Sequence, residues 1–274
     1  MQTENPIGVF DSGYGGLTVL REFVKEMPAY DFIYLGDNAR APYGNRSFES
    51  VYEFTLQSVE HLFNAGCKLV ILACNTASAK ALRTIQQHDL PLKYPDRRVL
   101  GVIRPTSEII GSITKTKKVG IFATAGTVAS KSYVIEIEKF FPEIKVYQEA
   151  CPMWVPIIEN NEINTPGAGY FVKQHVDHLL NQSPDIDTII LGCTHYPLLI
   201  SRIKEFVPPH IQLLQQGEIV ARSLKDYLNR HPEIDASCSK NGSLKFYTTD
   251  SSENFDRHAE LFFGEKIQSK TIHV

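Results

Sequence analysis

Two short segments place a thiol where chemistry can be done on it. Val70-Ile71-Leu72-Ala73-Cys74-Asn75-Thr76 and Ile189-Ile190-Leu191-Gly192-Cys193-Thr194-His195 share one pattern. Each is a β-branched apolar run, then a small residue, a cysteine and small polar residues, after which a helical pattern begins. A free cysteine is most often a small core hydrophobe, and Cys67, Cys151 and Cys238 read that way or as loop residues. Cys74 and Cys193 differ because each stands at a strand-to-helix junction. A helix N-terminus or an adjacent protonated histidine lowers a thiol's pKa from its free value of roughly 8.5. Two thiols facing each other across a cleft can take a proton with one sulfur while the other gives one.

Other polar clusters also fall at the ends of apolar runs: Asp11-Ser12-Gly13 and the stretch from Asp37 to Gly44. In open parallel sheets ligands bind beyond the carboxyl ends of the strands, so these clusters and the two cysteine motifs read as one shared cleft. Asn75, Thr76 and Thr194 offer donors that can cap a helix or hold a carboxylate or phosphate. Gly13-Tyr14-Gly15-Gly16 superficially resembles a dinucleotide fingerprint, but Thr18 stands where its third glycine belongs. Those glycines read instead as a tight turn and a close backbone approach to a small ligand. His195, two residues past Cys193, suits a metal or acid/base work; zinc would need a third and a fourth ligand. His175 and His178, three apart on a helix, read as a solvated face, so no metal site is assigned. Glu159 ends the apolar stretch from Trp154 and, from the residues alone, reads as a surface carboxylate at a helix end.

These groups need a scaffold, and the patterning predicts one. Strands are expected at Ile7–Asp11, Asp31–Gly36, Lys68–Ala73, Val99–Ile103, Lys118–Phe122, Ile144–Gln148 and Thr188–Leu191. Helices are expected between them, among them Gly15–Met27, Ser47–Ala65, Thr76–Gln87, Ser130–Phe141, Gly167–Leu180 and Pro197–Phe206. Continuous Val/Ile/Leu runs mark strands covered on both faces, and regular alternation with helices marks parallel sheets with crossover helices. The fold class is therefore α/β. The repeated cysteine motif and the polar breaks at Leu92–Arg98 and Val207–His210 predict two lobes. The first comprises 1–97 plus 209–274, with the last segment returning to it, and the second 98–208.

Composition bounds the functions. The chain has 274 residues, 43% of them hydrophobic, and a net charge of −3. That is ample for a sizeable core and gives no basic surface for nucleic acid; the Lys115–Lys118 run reads as a solvated loop. The start of the chain has no signal-peptide pattern, and no apolar stretch approaches the ~20 residues that cross a bilayer. A cytoplasmic protein is expected, with no membrane partner. Five cysteines at irregular spacing, without C-x-x-C, argue against a disulfide framework.

The motifs Gly8-Val9-Phe10-Asp11-Ser12-Gly13, Asp37 with Pro42-Tyr43-Gly44, Cys74-Asn75-Thr76-Ala77-Ser78 and Gly192-Cys193-Thr194-His195-Tyr196-Pro197 together resemble the cofactor-independent aspartate/glutamate racemase family. Ala150-Cys151-Pro152, leading to Glu159, is also similar, so the resemblance spans most of the chain. It implies two pseudo-symmetric lobes with the active site between them. It implies glutamate racemase activity, converting L- to D-glutamate for peptidoglycan. By position it implies Cys74 and Cys193 as the two bases, Asp11 as partner of Cys74, His195 as partner of Cys193 and Glu159 as an assisting carboxylate. Asp11, Ser12, Tyr43, Gly44, Asn75, Thr76, Thr127, Thr194 and His195 match substrate-binding positions. His195 favours glutamate over aspartate, where the family tends to carry Glu. The resemblance implies no cofactor and allows a homodimer. The short N-terminus lacks the extension of members activated by a cell-wall precursor, so no such activation is expected. Arg104 is bulkier and more basic than the expected residue at that edge of the cleft.

The rival expectations are an aspartate or broad-specificity racemase, a carboxylate-binding module in which both thiols only pack, and a metal hydrolase built on Cys193 and His195.

Overall fold

The computed structural model of the protein describes residues 5–274; the start at Met1–Glu4 lies outside them. Among the described residues ten strands form two sheets: β1 (Ile7–Asp11), β2 (Phe32–Gly36), β3 (Leu69–Leu72), β4 (Arg98–Gly101), β5 (Lys118–Ala123), β6 (Lys145–Ala150), β7 (Thr188–Gly192), β8 (Gln212–Leu214), β9 (Leu244–Thr248) and β10 (Ser269–Thr271). The first sheet has the order β10-β9-β2-β1-β3-β4 and the second β6-β5-β7-β8. Every pairing is parallel. All residues of β1, β2, β3 and β7 are buried, as their unbroken apolar runs require when helices cover both faces.

The two sheets share one plan. The order β2-β1-β3-β4 recurs as β6-β5-β7-β8, with β1 answering to β5 and β3 to β7. The strands β9 and β10 extend the first sheet beyond β2 and have no counterpart in the second. One of the three buried clusters among the described residues joins the units. Leu17, Leu20 and Phe23 of the Leu17–Glu26 helix belong to the same buried cluster as Phe122, Trp154, Leu191 and Leu224. Burying each such side chain contributes roughly 1.5–3 kcal/mol.

Local sequence explains where the two longest helices begin. The helix Phe48–Asn64 starts where the Ser47 hydroxyl accepts from Ser50 N at 3.2 Å, and buries Val51, Thr55, Val59 and Leu62 along one face. Thr165 caps Pro166–Gln182 in the same way, with Pro166 in the first turn.

The structure departs from the predicted elements in instructive places. The helix expected over 76–87 is broken into Asn75–Lys80, Leu82–Thr84, a widened turn at Ile85–Asp89 and Leu90–Lys93. Pro91 lacks an N–H and its ring opposes the carbonyl four residues back; the wide turn immediately before it absorbs the conflict. The lobe bounds at 97/98 and 208/209 also shift. Arg98–Gly101 pairs with β3 in the first sheet, and Gln212–Leu214 with β7 in the second. The polar breaks are turns inside crossover connections, not linkers. His175 is not solvated: it is 8% exposed and packs edge-on against Trp154 at 6.0 Å. Among the described residues no helix is long and apolar enough to cross a membrane.

Candidate active site

The strand order fixes where a ligand can enter each sheet. From β1 the chain moves outward to β2, then crosses back to place β3 on the other side of β1. The crevice beyond β1 and β3 is thus a topological switch point, where parallel α/β sheets bind ligands. Asp11 is the last residue of β1 and Cys74 follows β3. In the second sheet the equivalent crevice lies beyond β5 and β7, with Thr124 after β5 and Cys193 after β7. The two thiols therefore occupy equivalent positions.

Cys74 caps the Asn75–Lys80 helix, its sulfur accepting from Ala77 N at 3.4 Å. The Ser12 hydroxyl lies 3.5 Å from the same sulfur. Burial, and then the charge of Asp11, push the Cys74 thiol up to about 12, against the opposing pull of Ser12 and Ala77 N–H. The expected lowering by a helix end is overturned here, because desolvation of a residue only 6% exposed outweighs one short helix. The Cys193 sulfur also raises Cys74, so the two thiols lie within electrostatic reach.

Cys193 faces His195, whose Nδ1 lies 3.9 Å from the sulfur. The other ring nitrogen, Nε2, lies 2.9 Å from Glu159 Oε1. Burial works against a charged His195 ring, but the Cys193 sulfur and the Glu159 carboxylate outweigh it and raise His195 to about 10. Glu159, which the residues alone make a surface group, is drawn to His195 by its place at the end of the Trp154–Glu159 helix. Phe262 packs edge-on to the His195 ring at 5.1 Å.

Asp11 serves as a brace between the halves. Its Oδ1 accepts from Gly13 N at 2.9 Å and its Oδ2 from the Thr194 hydroxyl at 3.4 Å. Burial raises its carboxyl above the usual range, while His195, the Gly13 and Gly16 amides and Thr194 pull it back. The Thr18 hydroxyl donates to Thr194 O at 3.0 Å.

The glycines of the 13–16 turn face protein. A Cβ on Gly15 would stand 2.2 Å from Thr194 Oγ1 and 2.4 Å from His195 Nδ1, and one on Gly16 would stand 2.5 Å from Asp11 Cβ. The expected approach to a ligand is instead an approach to protein: Gly15 meets the Cys193–His195 loop that follows the second sheet, and Gly16 meets Asp11.

The remaining predicted binding residues fall into two groups. Thr76 Oγ1 lies 2.9 Å from Thr124 Oγ1 and 3.5 Å from Thr127 Oγ1, so three hydroxyls meet between the switch points. Asn75 and Tyr43 are already engaged. Asn75 donates to Gln216 Oε1 at 2.8 Å and accepts from Tyr133 OH at 2.7 Å. Tyr43 OH donates to Asp37 Oδ2, which also accepts from Arg40 Nε at 2.7 Å. Thr249 donates to Asp37 Oδ1 at 2.8 Å. This locks the Pro42-Tyr43-Gly44 loop, whose Gly44 O accepts from Gly126 N at 2.8 Å. For Asn75, Tyr43 and Gly44 the backbone amides are what is left to offer a substrate.

Sequence reasoning missed Gln216, Tyr133 and Thr124. Gln216 Nε2 also donates to Val102 O and Thr106 Oγ1, both at 3.1 Å, and to Tyr133 OH at 2.8 Å. It is a buried glutamine after a short strand, a signal that points to a buried polar partner but not to which one. Arg104 lies away from the thiols. It pairs with Glu108 at 2.9 Å in an outer groove of about 730 Å³ that neither Cys74 nor Cys193 lines. At Cys193 and His195 no third metal-ligand atom converges, among the described residues.

Residues 7–224 match the family described as Asp/Glu/hydantoin racemase. The chain belongs to that family. Among relatives within it, a glutamate racemase from Sulfurihydrogenibium sp. is 36% identical over 270 residues, covering 98% of this chain and 97% of that protein. A glutamate racemase isoform from Bacillus anthracis has a crystal structure that superposes with a TM-score of 0.89 at 36% identity, over 99% of this chain and 98% of that one. The glutamate racemase from Francisella tularensis, solved in complex with D-glutamate, gives 0.87 at 30% identity, over 99% and 98%. The racemase family and the two-sheet α/β architecture thus agree with the expectations from sequence.

Proposed function

We propose that the protein interconverts L- and D-glutamate by a two-thiol, cofactor-independent route in the cytoplasm, supplying D-glutamate for peptidoglycan. The observation that carries this reading is the placement of Cys74 and Cys193 at equivalent switch points, each with its own polar partners: Ser12 and Asp11 for one, His195 and Glu159 for the other.

Removing the α-proton of an amino acid leaves a carbanion that water barely supports. Inverting the centre needs a base on one face of Cα and an acid on the other. The Cys74 thiol, raised to about 12, is held protonated and ready to give. Cys193 has the His195 ring beside it, with Nδ1 3.9 Å from the sulfur, as its proton-relay partner. For L-to-D conversion the Cys193 thiolate takes the α-proton and the Cys74 thiol delivers its own to the opposite face. Cys193 leaves the step as the thiol and Cys74 as the thiolate, and the D-to-L reaction runs the same transfers backward.

Charge on Cα spreads onto the substrate carboxylate. Hydroxyls of Ser12, Thr76, Thr127 and Thr194, with backbone amides of Tyr43–Gly44 and Asn75–Thr76, would hold that charge in a site the two sheets shield from water. His195 both orients Cys193 and borders the substrate. The relatives named as glutamate racemases, one bound to D-glutamate, support glutamate over aspartate.

The test is incubation of purified protein with L-glutamate or L-aspartate, without added cofactor, followed by circular dichroism of the amino acid. The proposal expects L-glutamate to decay to equal amounts of both enantiomers, which have equal free energy in water, while aspartate stays largely unchanged. Racemisation of aspartate alone, or of neither, would reject it.

A further inference from the structure

A second cluster of chemically competent side chains lies behind the thiol loop and takes no part in the proposed reaction. Glu149, near the end of β6, lies with Oε1 2.7 Å from His175 Nδ1 and 3.3 Å from His178 Nδ1. The two histidines stand three residues apart on the Pro166–Gln182 helix, so their rings leave the same face. All three ligand atoms lie within 4.8 Å of one another, and among the described residues this is where such a trio converges.

We propose that Glu149, His175 and His178 form a binding site for a late first-row divalent metal ion, with zinc the representative. Two imidazoles and a carboxylate are a borderline donor set of the kind zinc, nickel and copper prefer over magnesium or calcium. Metal–ligand distances of 2.0–2.2 Å in a tetrahedron put ligand atoms about 3.3 Å apart. The His178–Glu149 separation already matches that spacing, and the His175–Glu149 pair needs to open by a fraction of an ångström. In the metal-bound form each Nδ1 gives its lone pair to the ion and Nε2 carries the ring proton.

Exposure is graded as a three-ligand site with an outer water requires. The side chains of His175 and Glu149 are 11% and 16% exposed, while that of His178 is 54% exposed and leaves an entry path. The inner wall is fixed by Trp154, which packs on His175 at 6.0 Å and on Tyr196 at 4.9 Å. A bound ion would staple the Pro166–Gln182 helix to the end of β6, behind the Cys193–Tyr196 turn. It is a structural ion in this proposal and enters no step of racemisation, so the site stands whether or not glutamate is the substrate.

Trp154 is the chain's single tryptophan, which supplies a local reporter. Nickel titrated into the wild-type protein is expected to quench its fluorescence saturably at one equivalent, and zinc to relieve the quench by competition. Zinc should also raise the melting temperature. His178→Ala removes a half-exposed ligand outside the active site, and should weaken the quench roughly tenfold or more and abolish the zinc-induced shift while leaving racemase activity and near-UV circular dichroism unchanged. The Cys74→Ser/Cys193→Ser variant should retain the quench. Equal quenching in wild type and His178→Ala, loss of quenching when the thiols are removed, or no saturable quenching at millimolar nickel would overturn the site.

Discussion

The Thr194 hydroxyl donates to Asp11 Oδ2 across 3.4 Å, joining residues 183 positions apart and belonging to different sheets. Asp11 ends β1 beside Cys74, and Thr194 follows Cys193 directly. One hydrogen bond to a buried carboxylate thus sets the two thiol-bearing loops against each other.

Removing that bond tests the brace. Thr194→Val keeps the shape and leaves Asp11 with its Gly13 and Gly16 amide partners alone. The loss of a hydrogen bond to a buried, raised carboxyl should cost about 1–2 kcal/mol, read as a lower urea midpoint with unchanged slope. Turnover should fall as well, because the loops lose their register.

Gly15→Ala asks whether the close approach is required. The new methyl would collide with Thr194 Oγ1 and His195 Nδ1. Overpacking of this kind costs roughly 1–3 kcal/mol, and His195 cannot yield without leaving Cys193. Activity should drop at least tenfold while circular dichroism shows the fold retained.

The His195–Glu159 pair gives a pH dependence with a definite sign. His195 titrates near 10 in the folded protein, above its ordinary 6.5. Its contribution to stability is therefore fully present below about 6.5 and is lost as pH rises through 10. Glu159→Gln removes one of the two groups that raise it. The variant should lose less stability than wild type between pH 6.5 and 10, and the alkaline limb of its kcat/KM profile should move to lower pH.

Gln216 ties Asn75, Tyr133, Val102 and Thr106 together in one buried network. Gln216→Leu fills the space but strands those polar groups, at about 2–3 kcal/mol. For a chain of this size the melting temperature should fall by roughly 5–10 °C.

Much of this arrangement is legible in the sequence because it rests on local signals. The unbroken β-branched runs at Val70–Leu72 and Ile189–Leu191, alternating with helical patterns, read as buried parallel strands, and the cysteine after each reports where the strand stops. Those two facts place both thiols at strand ends before any contact is known. What the sequence leaves out are pairings across long separations. Nothing near Gln216 names Asn75 as its partner. The glycines at 15 and 16 do not announce that they make room for His195 and Asp11. The thiol of Cys74 illustrates a competition of effects: the capping position favours the thiolate, but burial beside Asp11 prevails, and burial beside Asp11 is a tertiary property. The lobe bounds were displaced for a related reason, since a polar stretch inside a crossover and one between units have the same composition.

The central claim is that Cys74 and Cys193 exchange protons with opposite faces of one carbon. The most direct measurement is α-proton exchange of L- and D-glutamate in D₂O by NMR, with a chiral readout, on wild type, Cys74→Ser and Cys193→Ser. The account predicts that wild type places deuterium at Cα of the newly formed enantiomer, and that each single substitution abolishes the conversion. Racemisation that survives loss of either cysteine would contradict it.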